Sequence, residues 1–316
     1  LLATDPVCIP EDAQRIVTLD GLSFETLMVF EQPPVAAPAA FLRNFPVNYP
    51  TLATQIDGIE NLGALSVTSV EAIIAVDPDL IIGVDTRFLA FYDDLSVVAP
   101  TLLYTFRHSG EWQDVAAFAA AATNNEGLYD TQMTIYEERV EDFQSLLGDE
   151  EVEVSVVRIR PEELRLYVLA SFPGSVIEDV GLLRPESQNY DYEGLLEAFS
   201  STTFYAISLE NIQFADGDVI FVWSSSANVE LAEDADASRQ ALLDDPLWQS
   251  LDAIQSDDIY LVGGHWIGSS FISAHYILDD LFSSVLEVDP AEVSPNPFIV
   301  NNDDMGGIDA TEESSE

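Results

Sequence analysis

VTSVEAIIAVDPDLIIGV, residues 67–84, decides the reading of this chain, because it returns in altered form as ISLENIQFADGDVIFVW at 207–223. Each copy runs Ser, aliphatic, Glu, an Ile two residues on, then Asp-x-Asp and an apolar run. In the first, Ser69, Val70 and Glu71 open a short helix, Asp77-Pro78-Asp79 breaks it, and residues 80–84 have the length and composition of a strand. In the second, Ser208-Leu209-Glu210, Asp216-Gly217-Asp218 and residues 219–223 take the same parts. A continuous apolar strand beside a helix belongs to a parallel sheet buried on both faces. Two such units, too far apart for a solenoid period, imply two α/β lobes.

Composition sets the outer bounds. With 316 residues and 47% hydrophobic content, the chain can bury two cores and is globular. No run approaches a membrane span, and the first residues carry neither the basic region nor the apolar core of a signal segment, so a targeting segment is expected to have been removed upstream. Charge is the unusual feature: 57 acidic residues against 10 basic ones give −47, and every basic residue is arginine. Nucleic acid and anionic membrane are thereby excluded as partners, since both need basic surface. Two origins account for the missing lysines: a high-salt exterior that keeps a dense carboxylate surface hydrated and screened, or deliberate supercharging. Cys8, the single cysteine, cannot form an internal disulfide.

Outward from the repeated stretch, residues 15–20 read as a buried strand followed by a helix over 21–30, and residues 92–104 end in a third strand. Helices are predicted over 111–122 and 125–147, the second with Leu128, Ile135, Val140, Phe143 and Leu147 as its apolar residues. A second series begins with strands at 152–160 and 164–169 and a helix from 176. Residues 191–201 read as a loop, and the echo at 207–223 comes next. Helices at 236–243 and 246–251, a strand at 258–262 and a helix at 272–286 close the series. The expected organisation is an N-terminal lobe over 1–123, an interlobe helix over 124–148, a C-terminal lobe over 149–288 and a mobile acidic tail over 289–316.

No enzyme motif is present: there is no Gly-rich phosphate loop and no Gly-x-Ser-x-Gly, and His108, His265 and His275 lack metal-ligand spacing. Neither catalysis, a resident metal nor a cofactor is expected. Ligands of α/β sheets bind beyond the C-terminal edges of the strands. That rule selects Arg87, Phe106, Arg107, Arg160, Trp223 and Trp266 as ligand-binding candidates; Trp112 and Trp248, inside helices, read as core. Arg158 and Arg160 equally read as arginines that pair with nearby glutamates.

Five segments resemble one family: CIPEDAQRIVTLD (8–20), NLGALSVTSVEAIIAVDPDLIIG (61–83), YDDLSVVAPTLLY (92–104), SFPGSVIEDVGLLRP (171–185) and DPLWQSLDAIQSDDIYLVGGHWIGSS (245–270). The chain is similar to the substrate-binding proteins of iron–siderophore ABC importers, related to the vitamin B12 and haem binders. The resemblance implies two Rossmann-like lobes with mostly parallel central sheets, joined by a single long helix, and a ligand in the cleft between them. It implies a monomer outside the cytoplasmic membrane, anchored through a removed N-terminal segment or free, that takes up a ferric siderophore and passes it to the ABC importer permease. Arg87, Arg160, Trp223 and Trp266 resemble the family's cleft residues, because forked guanidinium hydrogen bonds suit anionic ferric chelates. Glu71 and Glu210 resemble the acidic residue with which each lobe docks onto permease arginines. Thr68 and Glu71 also fit a helix capping box. Haem, a corrinoid or a bare metal ion are the alternative ligands, and an enzyme or adhesion domain the alternative class.

Overall fold

The computed structural model describes residues 1–64, 69–160, 163–224 and 240–299. Strands β1 (Ile16–Thr18), β2 (Ala36–Ala37), β3 (Glu60–Asn61), β4 (Leu80–Val84) and β5 (Thr101–Tyr104) form one sheet in the order β3-β2-β1-β4-β5, parallel throughout. Helices α1 (Gly21–Val29), α2 (Ala39–Asn48), α3 (Val70–Ala75), α4 (Asp85–Phe88) and α5 (Tyr92–Val98) lie between these strands, and α6 (Trp112–Thr123) leads into α7 (Glu126–Leu147). A second sheet contains β6 (Val154–Ile159), β7 (Leu164–Tyr167), β8 (Phe204–Ile207), β9 (Val219–Ser224) and β10 (Ile259–Leu261) in the order β10-β9-β6-β7-β8. Its longer helices are α8 (Phe172–Asp179), α9 (Tyr192–Phe199) and α10 (Phe271–Ser284). Here β10, β9 and β6 are parallel, whereas β7 is antiparallel to both neighbours. Only residues 160–163 separate β6 from β7, too few for a parallel crossover, so the chain has to turn back as a hairpin.

Both copies of the repeated stretch end in a strand with parallel neighbours on either side. Alternate residues of each strand feed different cores: Leu80, Ile82 and Val84 face one cluster and Ile81 another, while Val219, Phe221 and Trp223 face away from Ile220 and Val222. Leu80, Ile82, Phe221 and Trp223 belong to one cluster that runs across the inner faces of both sheets, so the lobes share a core. The second aspartate of each Asp-x-Asp clips the neighbouring strand. Asp79 accepts from the backbone of Gln14 (2.8 Å) and Arg15 (2.9 Å) ahead of β1, and Asp218 accepts from Glu153 N (2.8 Å) ahead of β6.

The first copy's helix starts one residue later than a cap at Thr68 implies. Ser69 is its N-cap, accepting from Ala72 N at 3.3 Å; Val67 and Thr68 lie outside the described residues. In the second copy, Leu209–Ala215 is a 3-10 helix with no side-chain cap. Residues 191–201, read as a loop, hold α9 instead: Asp191 caps it by accepting from Gly194 N (2.8 Å), and Ser200 closes it in the left-handed region at φ 53°. Of the helix expected at 236–243, the described residues from 240 onward are helical.

With 22 residues, α7 is about 33 Å long. Its buried residues are Tyr136, Arg139, Val140, Phe143 and Leu147; Leu128 is exposed. Aliphatic periodicity alone misses Arg139, which enters the interior because partners surround it. Its guanidinium reaches Asp279 at 2.6 Å, His275 Nδ1 at 3.0 Å and the Ser294 carbonyl at 3.0 Å. Burial opposes the charge on Arg139 and on Asp279 alike, and their pairing offsets part of that cost. Asn296 donates to Asp279 (2.7 Å) and Ser294 to Asp142 (2.8 Å), so 289–299, expected to be part of a mobile tail, packs against α7 and α10. Residues 300–316 lie outside the described residues. Asp279→Ala strands a buried guanidinium and is expected to cost about 3–5 kcal/mol in urea unfolding; a loss below about 1 kcal/mol would show that the pair is solvated.

A second union holds the lobes together. Glu25 on α1 accepts from Ser270 Oγ (2.6 Å) and Ser273 Oγ (3.3 Å) at the start of α10, and from Tyr49 Oη (3.1 Å). Burial raises the Glu25 pKa, against the lowering effect of these hydrogen bonds. An ionised carboxylate whose folded-state pKa lies above the ordinary 4.5 costs stability at neutral pH. That cost vanishes as pH falls through the raised value towards 4.5. The wild type should therefore gain stability relative to Glu25→Gln on acidification across that window, by about 1.4 kcal/mol for every tenfold by which burial weakens the acid. A difference in urea unfolding that does not vary with pH would contradict the burial.

Candidate ligand-binding cleft

Arginines gather at one place on the second sheet. Arg158 on β6 and Arg165 on β7 stand directly opposite each other across the hairpin, and Arg160 follows at the end of β6. Like charges facing each other across two strands are unfavourable. Aromatic rings carry them: the Arg158 guanidinium lies 4.1 Å over Trp223, and that of Arg165 lies 4.3 Å over Phe204. Tyr167 sits between these rings, 5.5 Å from each, and its hydroxyl accepts from Arg158 Nη1 at 3.3 Å. Burial lowers the Arg158 pKa, and the charges of Arg160 and Arg165 push the same way against the hydroxyl of Tyr167. Within the cluster, Glu163 bonds Arg165 Nε at 2.6 Å. The rings belong to the inner core that both lobes share, so this arginine lip is on the face turned towards the first lobe.

Other arginines are occupied by structure. Arg15 donates to the Asp77 carbonyl at 2.8 Å at the end of α3. Arg184, buried, donates to Gln188 at 2.6 Å and to the Tyr167 carbonyl, and burial pulls its pKa down to about 9.

The residues expected to contact ligand divide into several groups. Arg87 is exposed on α4, immediately beyond β4, and Phe106 is half-buried against Tyr104, with 6.1 Å between ring centroids. Both sit at the C-terminal edge of the first sheet. Arg107 closes the lobes at one end: its Nε donates to Glu111 at 2.7 Å, and its guanidinium lies 5.3 Å over Tyr192 of α9. His108 stacks on the same ring at 5.5 Å and bonds the Ala170 carbonyl through Nδ1 at 2.8 Å. The tryptophans are corrected to core positions. Trp266 is fully buried, stacks on Phe221 at 4.5 Å and donates to Asp280 at 2.7 Å, so it has no face for a ligand. Trp223 is 1% exposed and lies beneath Arg158.

Arg160 is half-buried and lines a depression of about 680 Å³ with Ile159, Leu164, Ile207 and Leu242, and with Glu163, Glu210 and Asp245. Glu210 is exposed there, and Glu71 is exposed on α3, where a hydrogen bond from Ser69 Oγ (2.5 Å) lowers its pKa. Among the described residues, no group of three or more His, Cys, Asp or Glu side chains is placed to hold a metal ion, and no helix is long and apolar enough to cross a membrane.

Residues 16–264 match the family described as periplasmic binding protein. The chain belongs to that family. A probable siderophore-binding lipoprotein of Bacillus subtilis (strain 168), YfiY, is 32% identical over 276 residues, covering 86% of this chain and 82% of the relative. Two solved structures share the family fold. SirA of Staphylococcus aureus, complexed with staphyloferrin B, has a TM-score of 0.76 at 21% identity, covering 88% of this chain and 94% of that one. FeuA from Bacillus subtilis, a triscatecholate siderophore binding protein complexed with ferri-bacillibactin, has a TM-score of 0.72 at 20% identity, covering 91% and 97%. At such identities the likeness is one of fold.

Sequence reasoning missed Arg165, Tyr167, Phe204 and Tyr192. The signal was present in Leu164-Arg165-Leu166-Tyr167, where a hairpin reading of the short loop before it places Arg165 beside Arg158.

Proposed function

We propose that this protein captures an anionic ferric siderophore outside the cytoplasmic membrane and delivers it to an ABC importer, without catalysing a reaction. One observation carries the choice of an anionic cargo: Arg158 and Arg165 face each other, with Arg160 beside them, on a chain of net charge −47. On so acidic a chain, three arginines gathered on one hairpin, one of them paired with Glu163, mark where negative charge is received. Aromatic rings beneath them fix the guanidinium planes, and forked donors suit catecholate or carboxylate oxygens. Family membership, the naming of YfiY as a siderophore-binding lipoprotein and the siderophores bound to SirA and FeuA support the same class of cargo. Arg87 and Phe106 on the first lobe's edge complete the contact from the opposite side. Competition among ferric catecholate, ferric citrate and ferric hydroxamate tests the charge argument. The anionic complexes should win, and preference for a neutral hydroxamate complex would overturn it.

Glu71 and Glu210 are the docking pair in this reading. They occupy the same place in the two copies of the repeat, are exposed, and sit on short helical elements of different lobes. Glu71→Ala combined with Glu210→Ala should leave cargo affinity unchanged and abolish stimulation of the importer's ATPase. Loss of cargo binding instead would place these residues in the cargo site.

A further inference from the structure

The depression beside Glu210 and the arginine lip share one residue. Arg160 leaves the end of β6, its charge is felt at Arg158, and it lines the same hollow as Glu210. The hollow's floor is apolar, from Ile159, Leu164, Ile207 and Leu242, and its other charged lining residues are the carboxylates Glu163, Glu210 and Asp245. Glu163 is occupied by Arg165 at 2.6 Å, whereas Glu210 and Asp245 make no ion pair among the described residues. Such a socket complements an apolar side chain flanked by a cation on a partner's loop. A second arginine inside it works against that cation, because like charges a few ångströms apart repel unless something neutralises one of them.

We infer that Arg160 reports cargo to the docking face: empty, it repels the cationic loop of the importer's membrane subunit, and an anionic ferric chelate at Arg158 and Arg165 neutralises it, so the loaded protein docks more tightly. This inference rests on the docking role of Glu210. Anionic cargo supplies the differential interaction that any such coupling requires, and linkage makes it reciprocal: a docked importer tightens cargo binding by the same factor.

The test measures binding of the full chain to the importer in nanodiscs, with and without a saturating anionic ferric chelate, ferric citrate or a ferric triscatecholate. Wild type should bind at least about 5-fold more tightly when loaded, the low end of ordinary coupling between sites. Arg160→Gln should bind equally well empty and loaded, at the tighter wild-type level, and Arg160→Lys, which keeps the charge, should retain the difference. Equal binding by empty and loaded wild type, or an undiminished ratio in Arg160→Gln, overturns the inference. Glu210→Ala separates it from the docking reading. If that variant binds as wild type does in both states, docking through Glu210 falls; if it weakens both states, docking stands and the Arg160 comparison alone decides.

Discussion

Arg158→Ala is expected to weaken binding of an anionic ferric chelate by roughly 30- to 1,000-fold, from a loss of about 2–4 kcal/mol at ~1.4 kcal/mol per tenfold change. The effect is large because Arg158 is held in place by the rings beneath and beside it. Trp223 lies 4.1 Å beneath it, Tyr167 accepts from it at 3.3 Å, and burial has already removed much of its water. A guanidinium so placed loses little freedom on meeting a chelate, so most of its attraction is realised as affinity. Trp266→Phe is the matching control. It alters a fully buried ring on Phe221 and should leave affinity within about twofold, although stability falls with loss of the hydrogen bond to Asp280. Calorimetric titration of both variants checks the pair. Equal losses in the two would mean that Arg158 acts by maintaining the fold rather than by meeting cargo.

Salt should stabilise this protein strongly. At −47, with every basic residue an arginine, the chain repels itself over distances that low salt leaves unscreened. The Debye length shrinks from about 10 Å at 0.1 M salt to about 3 Å at 1 M, which silences all but neighbouring carboxylates. Relief on the order of 5 kcal/mol would raise the midpoint of thermal unfolding by roughly 8 °C for a chain of 316 residues. Calorimetry at rising potassium chloride concentration measures it. The prediction holds whether the acidity is native to a high-salt exterior or designed, since both act through screening. A flat or falling midpoint would mean that the carboxylates are already neutralised locally.

Much of the fold is legible in the residues because local and long-range signals agree. The apolar run Leu80–Val84 is buried on both faces and has parallel partners on both sides, as its unbroken hydrophobicity implies. α6 closes at Asn124, which takes the left-handed conformation at φ 59°, and the 22-residue α7 that follows ends at Gly148, the turn chemistry expected at helix ends. The antiparallel β7 was hidden by reading every apolar strand as a βα unit, when the four residues before it already required a hairpin. In α9 the helix signal is two turns long and acidic, and Asp191 as N-cap outweighs the weak pattern.

The cleft is less legible, for a reason specific to sheets. A rule that places ligands at strand ends names positions along a strand but not which face a side chain takes. Arg158 rather than Arg160 lies over Trp223, because regular strand stops at Ile159 and the chain turns there. Trp266 belongs to no strand end; its 3-10 turn packs it on Phe221 from within. Arg139 shows the complementary failure. Nothing in the pattern of α7 announces a buried arginine, because the partners that admit it, Asp279, His275 and Ser294, come from more than a hundred residues away.

Trp223, 1% exposed beneath Arg158, makes the central claim directly measurable. Intrinsic tryptophan fluorescence should be quenched saturably by one anionic ferric chelate from a panel of ferric catecholate, ferric citrate and ferric hydroxamate, titrated with haem and cobalamin alongside. The iron-free form of that chelator should have a far smaller effect, and Arg158→Ala should shift the curve to much higher concentration. Silence towards every ferric chelate, or an equal response to the iron-free chelator, would contradict the account.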